Sequence, residues 1–334
     1  DAAISALRSK DVEMVVGAIP FDSDTPAALT VPEAIIREEG PLEPHAYYRN
    51  QSLSSRVVGF DPEPEEHLRR VEAAIGTIET SKLEKVVLAR AVDIEFPEAI
   101  DPRLVAARLI DLSANRDGFI ADLSPAGRPG AMLVGSSPEV LVKRQGSTVS
   151  AFPLAGSSPR RASAAEDHLA GQDLLHSSKD LHEHAFVVDH LRRALTPLCE
   201  RLDIPDVPQL ISTNEMWHLG TPISGTLKDK DLTALELALA VHPTPAICGT
   251  PAEAAQALIE TAETDRGFYA GAVGWCDSSG DGEYMVAIRC AEVAGDGLSA
   301  RAWAGGGIVG DSDAQAELEE TTAKLRTILK ALSL

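Results

Sequence analysis

Strand-like runs follow one another in this chain without helices set between them in regular alternation. Near the C-terminal end "GFYAGAVGWC", "EYMVAIRCAEV" and "LSARAWAGGGIV" come in succession, and "EVLVKRQGSTVSAFPLAG" reads as a hairpin turning near Gln145 and Gly146. Helical segments are interspersed, but they do not alternate strictly with strands. That pattern excludes a doubly wound parallel sheet and predicts an α+β fold: a single large domain, mainly antiparallel sheets enclosed by helices.

Residues 20–64 carry seven prolines and few long apolar runs, so residues 1–64 are expected to be strands and loops integrated into the rest of the fold. From Glu65 the text changes. "EEHLRRVEAAIGTIET" places Leu68, Val71, Ala74, Ile75 and Ile78 at helical spacing, and "KVVLARAVDIEF" then alternates like a half-buried strand. "DPRLVAARLIDLSANR" is a helix with Asp101 as N-cap and Pro102 at its first position. The stretch Ala164 to Leu202 reads as the longest helix, interrupted only at Pro197. Further helices are expected at about 231–241, 252–263 and from near Ser312 onward.

Charge narrows the partners. With 30 Lys plus Arg against 51 Asp plus Glu, the net charge of −21 repels phosphate backbones and anionic membranes. No nucleic acid and no membrane partner is expected, and a cytoplasmic protein is the expectation, since no membrane span or signal-peptide pattern is present. Cys199, Cys248, Cys276 and Cys290 lack C-x-x-C spacing and read as reduced core thiols.

Three constellations could carry chemistry. Gly305, Gly307 and Gly310 satisfy G-x-G-x-x-G, but only 24 residues follow Gly310, too few for a dinucleotide-binding unit. What survives is a glycine-rich turn leading into a helix, either a plain tight turn or a seat for a carboxylate or phosphate. Asp180 with Glu183, and Glu317 with Glu320, stand at i, i+3, so each pair shares one helical face. Should the two faces meet, up to four carboxylates would surround one point, a hard-oxygen site suited to Mg²⁺; read singly, the same acids are solvated surface. His182 and His184 flank Glu183 but point to different sides, as exposed or locally hydrogen-bonded histidines. Lys85 opens an otherwise apolar strand, Arg289 sits late in "MVAIRC", and Lys324 lies four residues beyond Glu320. A basic group at the core-facing end of a strand is costly unless it meets an anion, and a desolvated lysine is suited to act as a general base.

Taken together, "EKVVLARA", "GSSPEVLVK", "FPLAGS", "KDLHEH", "HLGTPISGTL", "HPTPAICGTP", "DRGFYAGAVGW", "AIRCAE" and "AGGGIV" followed by "ELEETTAKL" occur in one order. This text resembles the chorismate-binding enzymes: isochorismate synthases, salicylate synthases, and the large subunits of anthranilate and aminodeoxychorismate synthases. The resemblance covers roughly residues 65 to 332, so 65–334 is the expected chorismate-binding catalytic region. It implies an anthranilate synthase component I-like fold, chorismate as substrate and Mg²⁺ as cofactor. It further implies Lys85 as the base that activates water and Glu139 as the acid facing the departing C4 hydroxyl. Glu183 and Glu320 match the Mg²⁺ ligands, with Asp180 and Glu317 as outer acids. His218, Tyr269, Arg289, Gly305, Gly307 and Lys324 match positions that line the substrate.

Within the family, relatives that use ammonia carry a different residue where this chain has Lys85, so water is the implied nucleophile. An isochorismate-forming monomer without an obligate amidotransferase subunit is therefore expected. Salicylate synthases resemble the chain at that lysine but read roughly "TASGIPK" where it has "AICGTPA". Ala246 and Ile247 thus belong to the wall expected to decide the product; the alternatives are a salicylate synthase or an amidotransferase-dependent anthranilate or aminodeoxychorismate synthase component.

Overall fold

The computed structural model describes residues 1–334. Its strands form three sheets in which every pairing is antiparallel, so the expected α+β architecture is present. An eight-stranded sheet runs in the order Cys199–Asp203, Ile223–Leu227, Thr148–Phe152, Val140–Gln145, Gly282–Val286, Ala272–Asp277, Met14–Ile19 and Ala28–Thr30. A seven-stranded sheet runs Gly249–Thr250, Lys85–Glu95, Ser299–Ile308, Cys290–Val293, Met132–Gly135 and Phe119–Asp122, with Arg56–Asp61 also paired to Lys85–Glu95. Gln209–Ser212, Met216–Gly220 and Leu154–Pro159 make a third, smaller sheet. Residues before position 64 thus contribute strands to both large sheets. No helix is long and apolar enough to cross a membrane.

The chain passes from sheet to sheet at short corners: Ser136–Glu139, Pro153, Thr221–Pro222 and Ala287–Arg289. Corners of this kind let one run of chain serve two packed sheets. Two of them are tied side by side, because Ser136 N–H donates to Arg289 O at 3.2 Å and Val286 N–H donates to Glu139 O at 3.0 Å. The expected single strand "EYMVAIRCAEV" is therefore two strands in different sheets. Arg289 is the joint between them, with a left-handed φ of 50°, rather than a late strand residue.

Two other expectations are corrected. The long helix divides into Ala164–His176 and Ser178–Leu195, because the Ser177 hydroxyl caps the second by accepting from Asp180 N–H at 3.2 Å. After Pro197 the chain becomes the strand Cys199–Asp203, whose partner Ile223–Leu227 lies beyond the reach of a local reading. The Lys85–Glu95 strand is not half-buried: positions 85–92 are all buried, since the strand is paired along both edges and packed by the helices Pro64–Thr80 and Ala252–Ala262. It also joins the two apolar clusters, giving Val86, Leu88, Ala89 and Ala91 to one and Val92 and Ile94 to the other. The four cysteines are buried and unpaired, as expected of core thiols.

Candidate active site

Between the seven-stranded sheet and the small three-stranded one lies a cleft of about 70 Å³, lined by Val87, Gly305 and Gly307 from the first and by Leu154, Ser157 and His218 from the second. Side chains reach it from elements far apart in the chain: Glu139 and Arg289 from the paired corners, His218 from the small sheet, Glu183 from the helix Ser178–Leu195, and Glu320 and Lys324 from the C-terminal helix Ala314–Ala331. Tyr269, Ala246, Ile247, Gly305 and Gly307 complete the wall on the side of the seven-stranded sheet. Asp180 lies in a neighbouring groove instead, its carboxylate bonded to the Ser177 hydroxyl.

Lys85 does not open on the cleft itself. It is fully buried, and its ammonium stands 2.9 Å from Glu183 Oε1, one carboxylate behind the lining. Opposite, the Glu139 carboxyl is buried and its Oε1 accepts from Leu154 N–H at 3.3 Å. Burial pushes its pKa up to about 7, although that N–H and the cations Lys85, Lys324 and Arg289 pull the other way.

The acids do not converge on one point, as the sequence spacing had suggested they could; no three of them stand together as a ready-made ligand set. Each of the three inner ones is held by its own lysine. Lys85 meets Glu183, Lys179 donates to Glu317 Oε1 at 2.7 Å, and Lys324 donates to Glu320 Oε1 at 2.6 Å. Burial would raise Glu320, but the Lys324 ammonium beside it holds it below the ordinary carboxylate range. Glu317 is raised by burial and by repulsion from Glu320. Its Oε1 also accepts from Ser312 Oγ at 2.8 Å, whereas its Oε2 is buried with no partner at all.

The glycine reading changes in kind. Gly305–Gly307 are not a turn but the end of the strand Ser299–Ile308, and only Gly310 lies in the turn that follows. The helix N-terminus beyond is occupied by its own cap, Asp313, which accepts from Ala316 N–H at 2.8 Å, so it offers no anion seat. The glycines serve close approach instead. A Cβ on Gly307 would stand 2.1 Å from Glu183 Oε1, and one on Gly305 2.8 Å from the Tyr269 hydroxyl. Their backbone still faces the site. Val87 and Ala89, opposite Gly307 and Gly305, bond away toward Cys248 O and Glu263, so in antiparallel register the two glycines turn their own N–H groups toward the cleft side.

Among the substrate-side candidates, Arg289 Nη2 lies 2.6 Å from His218 Nε2, and its Nη1 donates to Thr213 Oγ1 at 3.0 Å. Lys324 also donates to Gly305 O at 3.0 Å. Tyr269 stacks on Trp303 with ring centroids 5.7 Å apart. His184, adjacent to the acids, is buried rather than exposed, and its bonds are not local. Its two ring nitrogens are taken up by Ala155 O and Thr221 Oγ1, which leaves none for a metal.

Several contributors were missed. Trp303 is one. Arg266 is another: wholly buried and paired with Glu263 at 2.7 Å, it donates to Ile247 O and Val87 O, pinning the Ala246–Ile247 wall to the strand of Lys85. Lys179, one residue before Asp180 in "KDLHEH", is the third. The signal available was the presence of Arg266 and Lys179 inside the motif text and of Trp303 immediately before it, since each acts through a partner remote in sequence.

Comparison with known proteins agrees with this layout. The family model for the chorismate binding enzyme matches residues 24–333. Isochorismate synthase DhbC of Bacillus subtilis is 44% identical over 96% of this chain and 80% of its own length. Isochorismate synthase EntC of Escherichia coli is 38% identical over 96% of this chain and 81% of its own. The crystal structure of DhbC from Bacillus anthracis superposes with a TM-score of 0.91 at 40% identity, covering 100% of this chain and 88% of that one. On the extent of these matches, the chain belongs to the chorismate binding enzyme family.

Proposed function

We propose that the protein is an isochorismate synthase, which isomerises chorismate by adding water at C2 while the ring double bonds shift and the C4 hydroxyl departs. The observation that carries this reading is a buried carboxyl, Glu139, in the cleft lining together with a buried ammonium, Lys85, one carboxylate behind that lining at Glu183. Lys85 takes a proton from the attacking water, and Glu139 gives one to the leaving hydroxyl. A carboxyl pushed up to about 7 retains its proton near neutral pH and can serve as that acid. The two roles exchange in the reverse direction, and because one C–OH bond replaces another with the ring diene conserved, the equilibrium is expected to lie near balance. Because Glu183 stands between Lys85 and the cleft, its carboxylate must move aside before the lysine meets water.

Chorismate carries two carboxylates, and the cleft supplies local donors that outweigh the global charge of −21: Arg289, Lys324 and the N–H groups of Gly305 and Gly307. Glu183 and Glu320 are assigned as ligands of Mg²⁺, with Glu317 and Asp180 behind them. Two features support the fit. The buried Glu317 Oε2 lacks any partner, and the strand beneath Glu183 and Glu317 is glycine, leaving room where a Cβ would intrude. The ion would supply positive charge against a substrate carboxylate. With water as nucleophile no amidotransferase subunit is required, and the chain is assigned as a self-sufficient monomer.

Purified protein given chorismate and Mg²⁺ should form isochorismate without ammonia, and Glu320→Ala should abolish turnover while leaving the fold intact. Formation of anthranilate or aminodeoxychorismate on addition of ammonia would overturn the assignment. Full activity in EDTA would remove the ion from it.

A further inference from the structure

Three acids and three lysines share this site, and one of the lysines has no part in the reaction proposed above. Lys179 stands in the first turn of the helix Ser178–Leu195, where the positive end of the helix dipole disfavours a cation. Something else must hold it there. Its ammonium donates to Glu317 Oε1 at 2.7 Å, and the negative charges of Glu320 and Glu183 act on it as well. It is thus a positive charge held on Glu317, directly behind Glu183 and Glu320, the two acids to which a divalent ion is assigned.

The three lysines differ in their freedom to leave. Lys85 is enclosed, with no exposed side-chain surface. Lys324 is held twice, by Glu320 and by the carbonyl of Gly305. Lys179 has a single partner, and about a quarter of its side chain reaches solvent, so it can swing outward by giving up one hydrogen bond where Lys324 must give up two. Arrival of a divalent ion with Lys179 still in place would crowd cations into a buried setting, an arrangement low dielectric makes costly. Glu317 carries a single negative charge, and Lys179 on its Oε1 draws on the charge that its free Oε2 would offer an ion.

We propose that Lys179 is a tethered cation that competes with the divalent ion for the Glu183, Glu317 and Glu320 cluster, and so sets how tightly that ion binds. The inference rests on the cation-site assignment above. In its absence Lys179 neutralises the buried acids and keeps the site folded; on binding it moves to solvent, and the affinity measured is reduced by the work of displacing it.

The test is direct titration of the EDTA-treated full chain with Mn²⁺, followed by electron paramagnetic resonance, for wild type, Lys179→Met and Lys179→Arg. Lys179→Met keeps the length of the stem and removes the charge. It should bind Mn²⁺ more tightly by on the order of tenfold or more, the scale on which outer partners tune a metal site. Lys179→Arg, which keeps a cation, should not. Without ion, Lys179→Met should melt below wild type, and Mn²⁺ should close the gap. A purely structural lysine would behave oppositely, its loss loosening the helix end and weakening binding. Equal or weaker binding by Lys179→Met overturns the proposal while leaving the cation site standing. Binding undiminished in Glu183→Gln and Glu320→Gln locates the ion elsewhere and overturns both.

Discussion

Arg289 donates from Nη2 to Nε2 of His218 at 2.6 Å, with both side chains buried at the meeting of two sheets. A guanidinium has no acceptor, so His218 must offer a lone pair at Nε2 and carry its proton on Nδ1. Burial and the cations Arg289 and Lys324 hold its pKa well below the ordinary value, which keeps the ring neutral. His218 is thereby a rest for Arg289, and Arg289 is left to meet a substrate carboxylate. Arg289→Gln should raise KM for chorismate by roughly 10- to 100-fold, the worth of a charge-assisted hydrogen bond, with a smaller effect on kcat. Steady-state kinetics reads this, and an unchanged KM removes Arg289 from substrate binding.

Glu139 should impose a pH dependence of definite sign. The acid is needed protonated, so kcat/KM should fall as pH rises through about 7. Glu139→Gln should lose that inflection and lower kcat by roughly 10²- to 10⁴-fold. Stability moves the same way. The folded carboxyl binds its proton more tightly than the unfolded one, so its contribution is complete below the ordinary carboxylate value and is lost as pH rises to about 7. Urea unfolding of wild type and Glu139→Gln at pH values between the ordinary carboxylate value and about 7 should show a steeper fall in wild type.

A loss comparable to or greater than that of Glu139→Gln is expected for Lys85→Ala, again at least roughly 10²-fold in kcat. Near-normal turnover in that variant would require water activation to be reassigned.

Gly307 in the Ser299–Ile308 strand and Gly310 in the turn after it give a paired comparison. A methyl at Gly307 meets Glu183 Oε1 at 2.1 Å and Lys85 Cε at 2.9 Å, whereas one at Gly310 finds only Ile78 Cγ2 at 3.8 Å. Gly307→Ala should cost about 1–3 kcal/mol of stability through overpacking, and most of the activity. Gly310→Ala should change neither. Thermal melting and chorismate turnover on the two variants check this, and equal behaviour would refute the close-approach role.

Product choice is expected to turn on Ala246, half-buried in the cleft wall beside Ile247. Eliminating pyruvate from isochorismate needs the enolpyruvyl side chain held compactly while hydrogen moves from C2, and an alanine methyl supplies neither a hydrogen bond nor bulk for that pose. The unmodified protein should release isochorismate with little pyruvate. Ala246→Thr should raise the pyruvate yield, a hydroxyl there being worth about 1–3 kcal/mol in partitioning. Coupled lactate dehydrogenase measures it; pyruvate formed stoichiometrically by the unmodified chain would favour salicylate synthesis.

Local chemistry was legible in the text alone. The Asp101 cap with Pro102 behind it, the hairpin at Gln145–Gly146, the helix Pro64–Thr80 and the antiparallel habit of the strand runs are each specified within a few residues, because caps, turns and periodicity act over that range. Tertiary structure alone decided the rest. The change of sheet at Ala287–Arg289 depends on a hydrogen bond from Ser136, the strand Cys199–Asp203 exists because Ile223–Leu227 pairs with it, and Gly305–Gly307 are strand rather than turn because Val86–Ala89 lies alongside. The acids that spacing marked as possible ligands are met by Lys85, Lys179 and Lys324, two of them from elements remote in the chain. Burial creates those partnerships: only when side chains leave water together does each charge require a particular neighbour, and folding chooses which neighbour is there.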